Sequence, residues 1–275
     1  MKKNLVIIAS VIGLCGVFYP TFSWMYQRFT EPESYYTHGF LIPVIVAFLL
    51  WNKRKEFLEA PASSSMFGLV LLICCLGVHL LGGVFFKLGF VSGMALVGSL
   101  CAIVWYLHGG RRTAIILFPL LFLLLMVPLP KVLLIAIAFK LKMIASIIAA
   151  SLVSLANIDV TRSGSRFYVP SGVLSVENEC SGINSLISMF ALSVLFAYVA
   201  EKSNVKRTLF VLVSLPIAVV SNVCRLVFLI FAAYVYGIRA AKSGIVHYGD
   251  GVVMWVAALA FLSLVWRLFQ WKRQS

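Results

Sequence analysis

Residues 208–229 read TLFVLVSLPIAVVSNVCRLVFL, an apolar run interrupted by one charge, Arg225, and one proline, Pro216. A helix needs about 20 apolar residues to cross a hydrocarbon core of about 30 Å. The run therefore reads as a transmembrane helix. A cation inside such a run is costly, so Arg225 also marks a candidate site. Working outward, similar runs lie near 4–22, 38–51, 66–86, 90–107, 114–129, 183–200 and 247–266. The expectation is an all-α polytopic membrane protein with about eight transmembrane helices, forming one domain over 1–275.

The composition agrees with that class. Of 275 residues 62% are hydrophobic and 12% charged, and the mean hydropathy is +1.02, whereas soluble domains carry about 25% charged residues. The net charge of +14 does not indicate nucleic acid. It is divided among short clusters between apolar runs: Lys2-Lys3, Lys53-Arg54-Lys55, Arg111-Arg112, Lys202 with Lys206-Arg207, and Arg267 with Lys272-Arg273. Eight crossings put all five clusters on one side. By the positive-inside rule that side is cytoplasmic, as are both termini. Met1-Lys2-Lys3 and the apolar residues after it imitate a signal peptide but lack a small-residue cleavage site, so they are read as the first span.

Residues 132–156 are apolar enough to cross, yet Lys140 and Lys142 fall near their middle, where a charge costs about 2.5–3.5 kcal/mol on insertion scales. They are read as an amphipathic helix in the outer interface or a shallow re-entrant one, bounded by Pro128 and Pro130. Residues 157–182 form the extended polar stretch. Within it Arg166 to Val169, the turn Pro170-Ser171-Gly172 and Val173 to Val176 read as a short extracytoplasmic β-hairpin. That hairpin leads directly to Glu179-Cys180-Ser181-Gly182.

Cys180 precedes the helix beginning near Ile183, where the positive end of the helix dipole favours a thiolate. Ser181 and Gly182 offer close backbone approach and free N–H groups for an oxyanion. Arg225 lies roughly 25 Å along its helix from the cytoplasmic start, with Asn222 one turn earlier on the same face. His247 opens the last span, with Asp250 and Gly251 following. Each residue alone has a plain reading: an interfacial cysteine, a snorkelling arginine, a solvated histidine. Together they converge on one membrane face and supply a nucleophile, a cation and a proton donor. The remaining cysteines considered, Cys15, Cys74, Cys75 and Cys101, sit in apolar runs. There is no C-x-x-C spacing, so neither a disulfide framework nor a zinc site is indicated, and no metal or cofactor is implied.

The blocks Val176 to Leu186 with Glu179-Cys180-Ser181-Gly182, Pro216-x5-Asn222-x2-Arg225 and His247-x3-Gly251 resemble the signature blocks of the exosortase and archaeosortase membrane transpeptidases. Tyr36-Thr37-His38-Gly39-Phe40 through Leu50-Trp51-Asn52-Lys53-Arg54 is similar to that family's early His-Gly segment and its Leu-Trp-x-x-Arg end. The resemblance implies a cysteine transpeptidase acting on exported proteins that end in a sorting signal of PEP-CTERM type: a short motif, a membrane helix and a basic tail. It matches Cys180 to the nucleophile, Arg225 to the essential arginine and His247 to the third catalytic position. His38, Glu179, Ser181, Gly182 and Asn222 are supporting positions.

A histidine at 247 favours a bacterial exosortase of the inner membrane with its site on the extracytoplasmic face. Glu179 stands where a small residue is commoner, which leaves the subfamily open. The acceptor is a membrane lipid, a cell-surface group or water. A transporter, or a scaffold component of a surface-polysaccharide export system, is the alternative. The first should show intramembrane carboxylates or paired broken helices, and the second needs no thiol.

Overall fold

The computed structural model describes residues 12–32, 34–175, 182–201, 203–241 and the single positions 252, 256, 260 and 263. The chain divides into two compact units, Met1–Pro130 and Lys131–Ser275. In the first, a helical stretch over 12–17 gives way to α1 (Tyr19–Thr30), then α2 (Leu41–Glu59), α3 (Met66–Val78) and α4 (Gly89–Phe122). The second holds α5 (Lys131–Leu155), β1 (Thr161–Ser163), β2 (Arg166–Val169), β3 (Gly172–Ser175), α6 (Ile183–Ala200), α7 (Asn204–Tyr236) and the short α8 (Ile238–Ala241).

Breaks in the helices of the first unit have identifiable causes. Phe18 departs from helical geometry (φ −92°, ψ 11°) two residues before Pro20, which has no N–H to give the preceding turn. Gly109 interrupts α4 with φ 81° and ψ 170°, a conformation that L side chains avoid. A Cβ there would also strike the carbonyl of Ser63. Just past this break the Arg112 guanidinium donates to the carbonyls of Ala60 and Leu58, each at 2.9 Å. Those are carbonyls at the end of α2, where helical partners run out.

A buried polar cluster joins three helical stretches of this unit. α3 continues as a π-helical stretch, His79–Phe85, and His79 is 1% exposed. Its Nδ1 lies 2.7 Å from Ser92 Oγ and its Nε2 3.1 Å from the Val17 carbonyl, beside the break at Phe18. A carbonyl can only accept, so Nε2 carries the proton and Nδ1 accepts from Ser92. The Thr21 hydroxyl bonds Ser92 Oγ in turn. Gly83 makes this possible, because a Cβ there would meet Ser92 Cβ at 2.6 Å.

The second unit is built around α7. Leu226, Leu229, Ile230 and Ala233 form one core with Ala145, Ala149 and Val153 of α5 and with Phe167, Val169 and Leu174 of the sheet. The strand order is β1-β2-β3, antiparallel throughout. Alternation along β2 buries Phe167 and Val169 while Arg166 and Tyr168 face outward. Lower down, α6 and α7 are joined by Ser193 and Ser214, whose hydroxyls lie 2.9 Å apart. Both serines are buried, and such bonds hold helices together where hydrophobic association is weak.

Five helical stretches among the described residues are long and apolar enough to cross a membrane: Met66–Phe85, Gly89–Met126, Lys131–Leu155, Ile183–Ala200 and Asn204–Tyr236. The chain is a multi-pass membrane protein. The expected spans at 66–86, 183–200 and 208–229 coincide with or fall within three of these. Those at 90–107 and 114–129 appear as the two arms of Gly89–Met126, on either side of Gly109. The 38–51 run extends into α2, whose last turns carry Lys53, Arg54, Lys55 and Glu56. It is not among the five because of that charge. Residues 131–155 form one unbroken helix through Lys140 and Lys142, with no re-entrant turn, and its 25 residues extend about 37 Å. Of the expected 4–22 span, residues 12–22 are described and are helical on both sides of the break at Phe18, while the expected 247–266 span lies mainly outside the described residues. Beside the expected hairpin the sheet has a third strand, β1.

Candidate active site

Asn222 and Arg225 stand three residues apart on α7 and are 2% and 8% exposed. Helical spacing puts them on one face, toward the interior of the second unit. The Arg225 guanidinium carries a delocalised positive charge. It is therefore a fixed cation in an apolar setting, where its field is less screened than in water.

Gly182 meets this face. It occupies the N-cap position of α6 with φ 80° and ψ 0°, and its carbonyl accepts the N–H of Leu186 at 2.9 Å. A Cβ at Gly182 would lie 2.6 Å from Asn222 Cγ. Backbone conformation and close approach thus both call for glycine. The contact directs the positive end of α6 toward the helix that carries Arg225. A cavity of about 10 Å³, with room for a single water at most, lies between Gly182, Asn222, Leu186 and Ala145. Ala145 belongs to α5, which the sequence reading left in the interface and outside the site. The spacing of Ala138, Ala145 and Ala149, all buried, is the signal of a packed small-residue face that identifies α5 as a neighbour.

The sheet anchors the same helix from the other side of Arg225. Leu174 of β3 packs in the core that contains Val223, Leu226 and Leu229. In the turn before β3, Ser171 Oγ donates to the Ala233 carbonyl at 2.9 Å. The chain leaves β3 at Ser175 and re-enters the described structure at Gly182. At the far end Gly182 packs on Asn222 of α7, and at the near end Leu174, one residue before Ser175, shares a core with α7. Glu179, Cys180 and Ser181 fall in the connection and, like His247, lie outside the described residues.

His38 belongs to the first unit, in the 3-10 turn Thr37–Phe40 that precedes α2. Its ring stacks on Tyr36 with centroids 5.7 Å apart. Its Nε2 is buried with no hydrogen-bond partner among the described residues, and burial lowers its pKa from the ordinary 6.5. The Tyr36 hydroxyl accepts the Leu129 N–H at 3.1 Å. Burial raises its pKa, against the opposing effects of that N–H and of Arg28. Gly39 lets the turn close on Phe29, whose ring a Cβ would meet at 2.6 Å. Arg28 is buried and donates to Glu31 Oε2 at 2.7 Å.

The family profile described as transmembrane exosortase (Exosortase_EpsH) matches residues 26–264, from within α1 past His247. No curated protein and no solved structure matches the chain.

Proposed function

Because the chain belongs to the transmembrane exosortase family, whose role is membrane transpeptidation and protein sorting, we propose that it is a cysteine transpeptidase cleaving C-terminal sorting signals of exported proteins. The observation that carries this reading is the packing of Gly182, at the start of α6, against Asn222 on the helix that carries Arg225. Two residues of chain reach at most about 7 Å, so a nucleophile at position 180 is tethered to that contact. Arg225, one turn further on, supplies the cation that lowers a thiol pKa.

In the proposed reaction the Cys180 thiolate attacks a carbonyl just outside the membrane helix of the signal, forming a C–S bond. Arg225 and backbone N–H groups at the start of α6 hold the oxyanion. His247 gives a proton to the amine as the C–N bond breaks, which releases the C-terminal helix and leaves a thioester. An acceptor amine from a lipid or cell-surface group, or water, then takes the acyl group and the thiolate is restored. Cysteine is required because a serine hydroxyl has no comparable anionic population near neutral pH. The basic clusters support a site on the extracytoplasmic face of a bacterial inner membrane with both termini cytoplasmic.

The test is processing, in membranes, of a reporter ending in a short motif, an apolar span and a basic tail. Such a signal would be taken from a protein encoded in the same genome. Cys180→Ala and Cys180→Ser should insert normally and leave the reporter uncut, while Cys74→Ala and Cys101→Ala stay near wild type. Wild-type processing by Cys180→Ala would end the cysteine mechanism.

A further inference from the structure

The two edges of the small sheet differ. Strand β1 is Thr161-Arg162-Ser163, and Arg162 lies opposite Phe167, whose side chain faces the core. Arg162 is exposed, and a charged side chain on an edge strand is a device that keeps the edge from pairing with another chain. Strand β3 is Gly172-Val173-Leu174-Ser175, with neither charge nor proline. Among the described residues it pairs with β2 alone. Ile238 of α8 approaches Gly172 in the direction of a Cβ, at 2.9 Å. That contact lies on the face of the strand, and among the described residues no other strand pairs at its outer edge.

The register tells which main-chain groups the edge presents. β2 and β3 are joined by the two-residue loop Pro170-Ser171, with Val169 opposite Gly172. A two-residue loop closes on a hydrogen-bonded pair, and such pairs alternate along an antiparallel ladder. Gly172 and Leu174 therefore turn their N–H and C=O groups toward β2. Val173 and Ser175 turn theirs away from the sheet. By the same rule Arg162 presents the outward groups of β1, with Ser163 opposite Arg166 across the loop Gly164-Ser165.

We propose that β3 is a docking edge on which an extended segment of the substrate, just ahead of its membrane helix, adds as a further strand. The occupant is a peptide because the edge offers alternating donors and acceptors at strand spacing, which only an extended backbone satisfies along its length. It is the substrate because Ser175 lies five residues before Cys180 in the chain, at most about 17 Å when extended. A segment held at β3 enters the site from the side on which the nucleophile is delivered. Strand addition fixes position and direction through backbone contacts, while outward side chains such as Val173 and Tyr168, a cross-strand pair, select what lies over them. This inference rests on the cysteine transpeptidase reading.

The experiment uses the full-length protein in membranes and the same reporter. Val173→Pro removes the outward N–H and leaves the β2 ladder intact. We expect its apparent KM for the reporter to rise at least tenfold with kcat little changed. Arg162→Pro makes the matching change at the guarded edge and should stay within twofold of wild type. A photo-crosslinking residue at 173, in a Cys180→Ala background, should capture the reporter, and one at 162 should not. Wild-type KM in Val173→Pro, or capture at 173 of a second copy or another segment of this chain in place of the reporter, overturns the docking edge while leaving the cysteine mechanism standing. Loss of activity in Val173→Pro together with lost insertion is separated by the crosslink, which needs no proline: no reporter adduct at 173 sinks the proposal. A wild type that leaves the reporter uncut, or an active Cys180→Ala, removes the transpeptidase reading and this proposal with it.

Discussion

The two units each bury a polar cluster among membrane helices, and the clusters differ in kind. In the first, His79, Ser92, Thr21 and the Val17 carbonyl form a neutral chain of hydrogen bonds in which each named group meets a neighbour. In the second, Arg225 brings a permanent charge to low exposure beside Asn222, and Gly182 at the start of α6 closes on that face. A neutral, mutually satisfied cluster restores what a helix break removes and holds three helical stretches together. A buried cation on the helix face that the N-terminus of α6 approaches adds nothing to an apolar core, and under the proposed function it serves acyl transfer. The lesson is that burial and hydrogen bonding alone do not separate glue from chemistry. Charge and its setting do.

The sharpest way to break the contrast is at Arg225. Arg225→Lys keeps the charge but loses the planar fork able to hold an oxyanion through two bonds. Loss of one oxyanion donor costs on the order of 10²–10³ in rate, and a loss of that size is expected in reporter processing, with insertion preserved. Thiol titration of the Arg225→Ala protein should show the Cys180 pKa raised, because a nearby cation has gone. Full activity in Arg225→Lys would mean that a point charge suffices. Full activity in Arg225→Ala would place the arginine with the structural residues and erase the contrast.

Gly182→Ala comes next. It forces a side chain into positive φ, at roughly 1–2 kcal/mol, and into Asn222 at 2.6 Å, where overpacking typically costs about 1–3 kcal/mol. Processing should fall at least tenfold and the thermal midpoint should drop. Adding Asn222→Ala removes the clash but not the backbone strain, so it should recover part of the stability and little of the activity. A fully stable, active Gly182→Ala would show that α6 does not need this approach.

Much of the second unit was legible because its signals are local. The apolar runs at 183–200 and 208–229 are long enough to decide themselves, and a turn of Pro170-Ser171-Gly172 between Arg166–Val169 and the next β-branched residues marks a hairpin. The pairing of Asn222 with Arg225 follows from helical spacing. What was not legible depends on contacts distant in sequence. Thr161-Arg162-Ser163 has no apolar alternation, since an edge strand guarded by a charge hides the pattern that would reveal it. His79 carries no signal of its cluster in the sequence, because its partners are 13 and 62 positions away. The packing of helix 131–155 against α7 runs through small residues, Ala145 and Ala149, a face that draws less notice in the sequence than the two lysines near its middle. The approach of Gly182 to Asn222 joins residues 40 positions apart, and only the folded chain brings them together.

The first unit's cluster should respond in the opposite way to the second's. His79→Ala leaves the Val17 carbonyl and the Ser92 hydroxyl without their partner, at about 1–3 kcal/mol for such a loss. The thermal midpoint of the detergent-solubilised protein should fall, and processing per folded molecule should stay near wild type. A large drop in processing at unchanged stability would move His79 from glue to chemistry. Ser214→Ala tests the milder serine pair in the second unit, where interhelical bonds average about 0.6 kcal/mol. A small stability loss with unchanged processing is expected.

The smallest effect concerns His38, which lies outside both clusters and outside the spanning helices. Burial lowers its pKa below the ordinary 6.5 in the folded protein. Above that value the imidazole is neutral in both folded and unfolded chains and its protonation does not affect stability. As pH falls through 6.5 the unfolded chain takes up the proton first, so the unfolded state is favoured, and the loss continues until pH passes the lowered folded value. The thermal midpoint of wild type should therefore fall more than that of His38→Gln between about pH 7 and pH 5, a window set by the ordinary histidine value. Groups common to both proteins cancel in the difference. Parallel curves would mean that the Tyr36-stacked imidazole stays hydrated enough to titrate normally. A wild-type curve that rises relative to His38→Gln on acidification would mean that the buried Nε2 finds an acceptor when protonated, which reverses the sign of the argument.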